Sequence, residues 1–167
     1  MVMKTLGLVG GMTPESTVIY YRTLVELGRA TWDDPLRNPV MIVYSLDLSQ
    51  IAARQSVGDE DHVVATLVDA LERLRNAGAE VGAITANTPH VFFRRIAEGT
   101  RLPLVSIVDA TVERARRLGV SRTLLLGTNA TTGSPMYPQA LAAAGIDVVL
   151  PDADERQFVN RSIYEDL

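Results

Sequence analysis

The feature that most restricts this chain is the alternation of short apolar runs, rich in β-branched residues, with stretches of helical periodicity. Six runs read as strands: Met1 to Val9, Val40 to Tyr44, Val81 to Ile84, Pro103 to Ile107, Thr123 to Leu126 and Asp147 to Leu150. Runs that are apolar throughout, rather than every second residue, suit strands covered on both faces. A helix between successive strands implies parallel pairing through crossovers. The expected fold class is therefore α/β with parallel sheets.

The helical stretches carry their own punctuation. Pro14 to about Arg29 places Val18, Tyr21 and Val25 at spacings of three and four, which predicts that this face packs on the sheet. Asp33-Asp34-Pro35 then marks a loop. Asp59 to Asn76 has the plainest stripe, Val64, Leu67, Val68, Leu71 and Leu74, with acidic residues at its start, basic ones at its end and Gly78 as a stop. His62 falls in that acidic first turn and is expected to be exposed. Ser45 to Gly58, which includes Arg54 and Gln55, fits a short helix or a solvated excursion over the sheet. Further helices are expected over Pro89 to Glu98, Asp109 to Leu118 and Pro135 to Ala144, with a last one opening at Pro151-Asp152-Ala153-Asp154.

Polar turns follow three of the strands. Gly10-Gly11-Met12-Thr13-Pro14 and Asn87-Thr88-Pro89-His90 each pair a hydroxyl N-cap with proline at the first helical position. Gly127-Thr128-Asn129-Ala130-Thr131 is the third, and it faintly echoes Thr85-Ala86-Asn87-Thr88. Ligands of open α/β sheets sit at the carboxyl ends of strands, where helix N-termini favour anions. Two lobes built alike, each offering an Asn/Thr turn to a shared cleft, are the expected architecture, with residues 1–100 as the first lobe and 101–167 as the start of the second. Small polar donors of this kind suit the carboxylates and amine of a small dicarboxylic amino acid.

Several chemistries are disfavoured. The first turn has neither the Gly-Lys-Ser/Thr of a phosphate loop nor dinucleotide-binding glycine spacing, and no Gly-x-Ser-x-Gly elbow occurs. With two histidines, His62 and His90, and no cysteine, a metal site finds no support, and thiol chemistry has no source in these residues. His90 could orient a ligand or be a satisfied structural imidazole. A net charge of −4 without a basic cluster gives no footprint for nucleic acid. No apolar run approaches the ~18 residues of a membrane span. A soluble cytoplasmic protein is the default.

Gly7-Leu8-Val9-Gly10-Gly11-Met12-Thr13-Pro14-Glu15-Ser16-Thr17, followed by Tyr20-Tyr21-Arg22, resembles the opening motif of the aspartate/glutamate racemase family. Asn87-Thr88-Pro89-His90 resembles its second motif, Cys-Asn-Thr-x-His. Ala77-Gly78-Ala79-Glu80, Leu126-Gly127-Thr128 and Pro151-Asp152-Ala153-Asp154-Glu155-Arg156 follow in family order. The likeness runs end to end and is strongest with the bacterial branch of broad-specificity and L-aspartate/glutamate racemases.

What the resemblance implies is two similar parallel-sheet lobes and an isomerase that needs no cofactor, pyridoxal phosphate included. A thiolate removes the α-proton of aspartate or glutamate on one face while a thiol returns one on the other. Thiols suit this because a pKa of about 8.5 is readily lowered toward neutrality. The resemblance further implies a small amino-acid substrate and a homodimer; the charge and the apolar runs, as above, give no expectation of a nucleic-acid or membrane partner. It makes Met12 and Thr13 first-loop contacts, Gln55 a substrate-contacting glutamine, Asn87 and Thr88 carboxylate binders, and Thr128 with Thr131 the lining of the second lobe.

Two departures stand out. The family's first acid falls at Ala86, whose methyl transfers no proton, and Thr85 is one residue too early, on the opposite face of an extended strand. The second cysteine belongs to a Gly-Cys-Thr motif that lies past Leu167, so the second lobe and C-terminal part are expected to be incomplete in this chain. The alternative function is thus a relative that binds small dicarboxylic amino acids without turning them over.

Overall fold

The computed structural model describes residues 3–32, 34 and 36–165. Of the expected elements, Met1 and Val2 of the first strand, Asp33 and Pro35 of the first loop and Asp166 and Leu167 of the last helix lie outside the described residues. The chain folds into two compact units, Met1–Ala86 with Phe92–Val105, and Asn87–Val91 with Ser106–Leu167.

The first unit holds strands β1 (Leu6–Gly10), β2 (Met41–Ser45), β3 (Val81–Ile84) and β4 (Leu104–Val105) in the order β2-β1-β3-β4, every pair parallel. Register sets Gly10 beside Ser45 and Val9 beside Ile84, so the strands finish along one edge. Helices α1 (Pro14–Trp32), α2 (Leu48–Ser56), α3 (Glu60–Asn76) and α4 (Phe93–Gly99) complete the unit. Its core joins Val9 and Ile84 to Val63, Leu67, Ala70, Leu71 and Leu74 of α3, with Ile51 of α2 and Ile96 of α4. Side chains such as Leu67, fully buried, each contribute about 2 kcal/mol.

Helix α3 keeps its expected span, capped by Asp59, whose carboxylate accepts from the His62 amide; His62 itself is exposed. Its deepest residues are Val63 and Ala70 as well as the expected leucines, while Val64 and Val68 sit at the flanks. Of the two forms open to Ser45 to Gly58, the helix is observed, capped by Asp47.

The packing face of α1 differs from expectation. Val18 and Tyr21 are 56% and 50% exposed, and the inward line runs through Thr17, Tyr20, Leu24 and Gly28. The reason is local. Thr17 bonds with the strand ends, and Gly28 lets Pro39 and Trp32 approach within a space that a Cβ would fill at 2.9 and 3.1 Å. A hydroxyl and a glycine therefore orient a helix whose hydropathy points elsewhere.

The second unit contains α5 (Ile107–Arg117), β5 (Arg122–Leu124), α6 (Asn129–Gly133), α7 (Met136–Ala143), β6 (Asp147–Val149) and α8 (Ala153–Glu165). Strands β5 and β6 pair in parallel. Val108, Tyr137, Leu141 and Ile146 form its core. Ile107, expected in the fourth strand, instead opens α5, because the Ser106 hydroxyl accepts from the Asp109 amide and caps a helix there. Among the described residues no helix is long and apolar enough to cross a membrane.

Candidate functional site

The chain leaves β1 through Gly10 and Gly11. Gly11 has φ of 87°, and a Cβ there would lie 2.1 Å from the Leu46 carbonyl oxygen, so this position admits only glycine. The turn is held by hydroxyls. Thr17 Oγ1 accepts from the Gly11 amide at 3.1 Å and lies 2.9 Å from Thr85 Oγ1. Ser16 Oγ donates to the Thr85 carbonyl at 2.9 Å. Thr85 is 1% exposed, and its own hydroxyl also reaches the Val9 carbonyl at 3.3 Å. It points into the unit and is fully engaged.

Met12 and Thr13 follow. The Met12 side chain is buried in the core of the first unit, leaving its backbone as the part that could meet a ligand. Thr13 is exposed; its hydroxyl lies 3.2 Å from Ser16 Oγ and its carbonyl accepts from Ser16 and Thr17. Gln55 lies near the end of α2, exposed, beside Arg54, which pairs with Asp59 at 3.6 Å.

Past Ala86 the chain enters the second unit. Thr88–Phe92 forms a 3-10 helix, not the α-helix expected from Thr88-Pro89, and α4 begins only at Phe93. The tighter turn starts with the His90 amide donating to the Asn87 carbonyl at 2.9 Å. Thr88 therefore does not serve as an α-helix cap. Its hydroxyl lies 3.4 Å from Thr128 Oγ1, which in turn lies 3.2 Å from Thr131 Oγ1. Thr128 is the N-cap of α6, accepting from the Thr131 amide at 3.3 Å. Asn129, the first residue of that helix, gives its amide proton to Asn160 of α8 at 2.8 Å.

Asn87 is exposed, yet one end of its amide is fixed: Tyr137 donates its phenolic proton to Asn87 Oδ1 at 2.6 Å. Tyr137 was not singled out from sequence, where it reads as an ordinary apolar position of α7. Burial raises its pKa above the usual phenol value, with the Thr111 hydroxyl acting in the opposite sense, so it stays protonated. His90 is 3% exposed and its Nε2 accepts from the Ile107 amide at 3.3 Å, at the start of α5. Of its two readings, the structural one describes what is observed.

The second unit thus links Thr88, Thr128 and Thr131 hydroxyl to hydroxyl, with Asn87, held by Tyr137, adjoining Thr88 in the chain to make one polar patch, while Met12, Thr13 and Gln55 belong to the first unit. An apolar hollow of about 560 Å³ elsewhere in the second unit, walled by Leu124, Leu126, Leu150 and Phe158, involves none of these residues. Among the described residues no group of three His, Cys, Asp or Glu could hold a metal.

Parallel strands that end in hydroxyl- and amide-bearing turns define an α/β protein with its polar turns at the carboxyl ends of strands, the place where ligands of open α/β sheets bind. The Asp/Glu/hydantoin racemase family profile matches residues 9–166, and the chain belongs to that family. It is 26% identical over 160 residues to the broad-specificity amino-acid racemase RacX of Bacillus subtilis, covering 95% of this chain and 69% of that protein. A candidate Asp/Glu racemase from Yersinia pestis superposes with a TM-score of 0.89 at 38% identity, over 98% of this chain and 71% of that one. An aspartate racemase homologue from Pyrococcus horikoshii gives 0.85 at 36%, over 99% and 72%.

Proposed function

We propose that this chain acts as a cofactor-independent amino-acid racemase, gripping the carboxylate of an aspartate- or glutamate-like substrate through Asn87, Thr88 and Thr128. The observation that carries this is the polar patch of the second unit: an exposed amide whose carbonyl end is already satisfied, continued by hydroxyls 3.4 and 3.2 Å apart. Hydrogen bonds to an ionised group are worth about 1.5–3 kcal/mol each, enough for two or three to seat a small zwitterion. Removing the α-proton spreads negative charge onto the carboxylate, so the same donors strengthen as the carbanion develops. Thr13 and Gln55 are proposed substrate contacts on the resemblance alone, as is a cytoplasmic homodimer; light scattering measures the solution mass.

One observation favours a second reading, binding without turnover. The residue at the place of the family's first acid is Ala86, the neighbouring Thr85 hydroxyl is engaged in the interior, and no cysteine occurs in the 167 residues. Incubation of L- and D-aspartate and glutamate with the protein in D2O separates the two. Deuterium at the α-carbon supports racemisation. Saturable binding by calorimetry with no exchange supports the second reading, and neither signal refutes both.

A further inference from the structure

We infer that Tyr137 is a positioning residue that sets the face Asn87 offers to a ligand, turning a two-faced amide into a donor for carboxylates. An asparagine side chain can present either its carbonyl or its NH2 by a half-turn about the last bond. A phenol is a far better donor than acceptor, because its oxygen lone pair is delocalised into the ring. At 2.6 Å from Tyr137 the amide therefore keeps Oδ1 toward the phenol. Nδ2, with two protons, is left for the exposed side.

The anchor itself cannot swing. Tyr137 is 5% exposed and packs with Val108, Leu141 and Ile146, so its ring is fixed by the core of the second unit. The residue links that core to the polar patch. Remove the hydroxyl, and the amide samples both orientations, one of which turns an oxygen toward an incoming carboxylate. The inference deepens the carboxylate-binding reading above and rests on it.

The test is a double-mutant cycle with Tyr137→Phe and Asn87→Ala, read by calorimetry with aspartate and with its α-amide, isoasparagine, in which the acid group on the α-carbon is a carboxamide. In Tyr137→Phe the dissociation constant for aspartate is expected to rise about two- to tenfold, the scale of one hydrogen bond. The α-amide, whose NH2 can use the turned carbonyl, is expected to lose less, so discrimination between the two narrows. In the Asn87→Ala background the tyrosine change is expected to have no further effect. A merely structural tyrosine would weaken both ligands alike in both backgrounds, and that result overturns the inference. So does unchanged aspartate binding in Tyr137→Phe when Asn87→Ala binds weakly, an outcome that leaves the carboxylate reading intact. If the unaltered protein binds no dicarboxylic amino acid, the carboxylate reading falls and takes the inference with it. Should Tyr137→Phe not fold, the 15N-labelled unaltered protein decides: titration with aspartate must shift the Asn87 side-chain NH2 signals, and signals that stay put refute the assignment.

Discussion

The hydroxyls at the strand ends of the two units do opposite work. In the first unit Ser16, Thr17 and Thr85 bond to one another and to backbone carbonyls, tying α1 to the ends of β1 and β3. In the second, Thr88 and Thr128 lie half-buried at a longer spacing of 3.4 Å, and Asn87 is exposed. One set closes a turn; in the other, Thr128 caps α6 while the half-buried Thr88 lies beside it, next to the exposed Asn87. The same residue types tie strand ends together in one unit and stand beside an exposed amide in the other.

The largest effect expected from breaking this contrast is at Gly11. Alanine there would put its methyl 2.1 Å from the Leu46 oxygen at a φ of 87°, and the turn that seats Thr17 would have to move. A loss of about 3 kcal/mol or more is expected in urea unfolding, since backbone strain and overlap act together.

A matched pair sharpens it. Thr85→Val keeps the shape and removes a buried hydroxyl with two partners, so about 1–2 kcal/mol of stability should go. Thr88→Val is expected to change stability by less than about 0.5 kcal/mol, as half-exposed sites commonly do. It should instead raise the dissociation constant for aspartate severalfold in calorimetry. Equal losses of stability at both positions would erase the distinction between the two sets of hydroxyls.

Much of the architecture was legible because hydrophobic periodicity and caps are local signals. The span of β3, the span of α3 with the leucines of its stripe and the parallel alternation follow from residues read a few at a time. The face of α1 was not legible, since it depends on a glycine and a threonine that mark no hydropathy. Nor was the 3-10 turn after Asn87. The Thr-Pro pair permits an α-helix start, and the partners that Thr88 and Asn87 meet there, Thr128 and Tyr137, lie forty and fifty residues away in the chain. Within the echo between Thr85-Ala86-Asn87-Thr88 and Thr128-Asn129-Ala130-Thr131, Thr85 is an interior strand-end residue, whereas Thr128 caps a helix. The polar patch was readable only as a list of candidates, and its tyrosine anchor was hidden among core residues.

The smallest expected effect concerns how the first unit closes away from its turn. Glu72 of α3 accepts from the Thr100 hydroxyl at 2.7 Å, from the Arg101 amide at 3.0 Å and from Arg75 at 2.9 Å, clamping the chain that follows α4. These bonds, the Thr100 hydroxyl first among them, favour the carboxylate and pull its pKa from 4.5 to about 2. A group whose pKa falls on folding adds stability that is complete above its unfolded value and is lost as pH drops through the folded one. Glu72→Gln is therefore expected to lower the melting temperature modestly at pH 7, with the gap between variant and parent closing as pH falls from 4.5 toward 2. Acid should therefore loosen the α3–α4 connection while leaving the Tyr137–Asn87 bond intact, which hydrogen exchange at pH 3 and pH 7 can follow amide by amide. A gap that stays constant across that range would mean that the clamp works through packing and not through its charge.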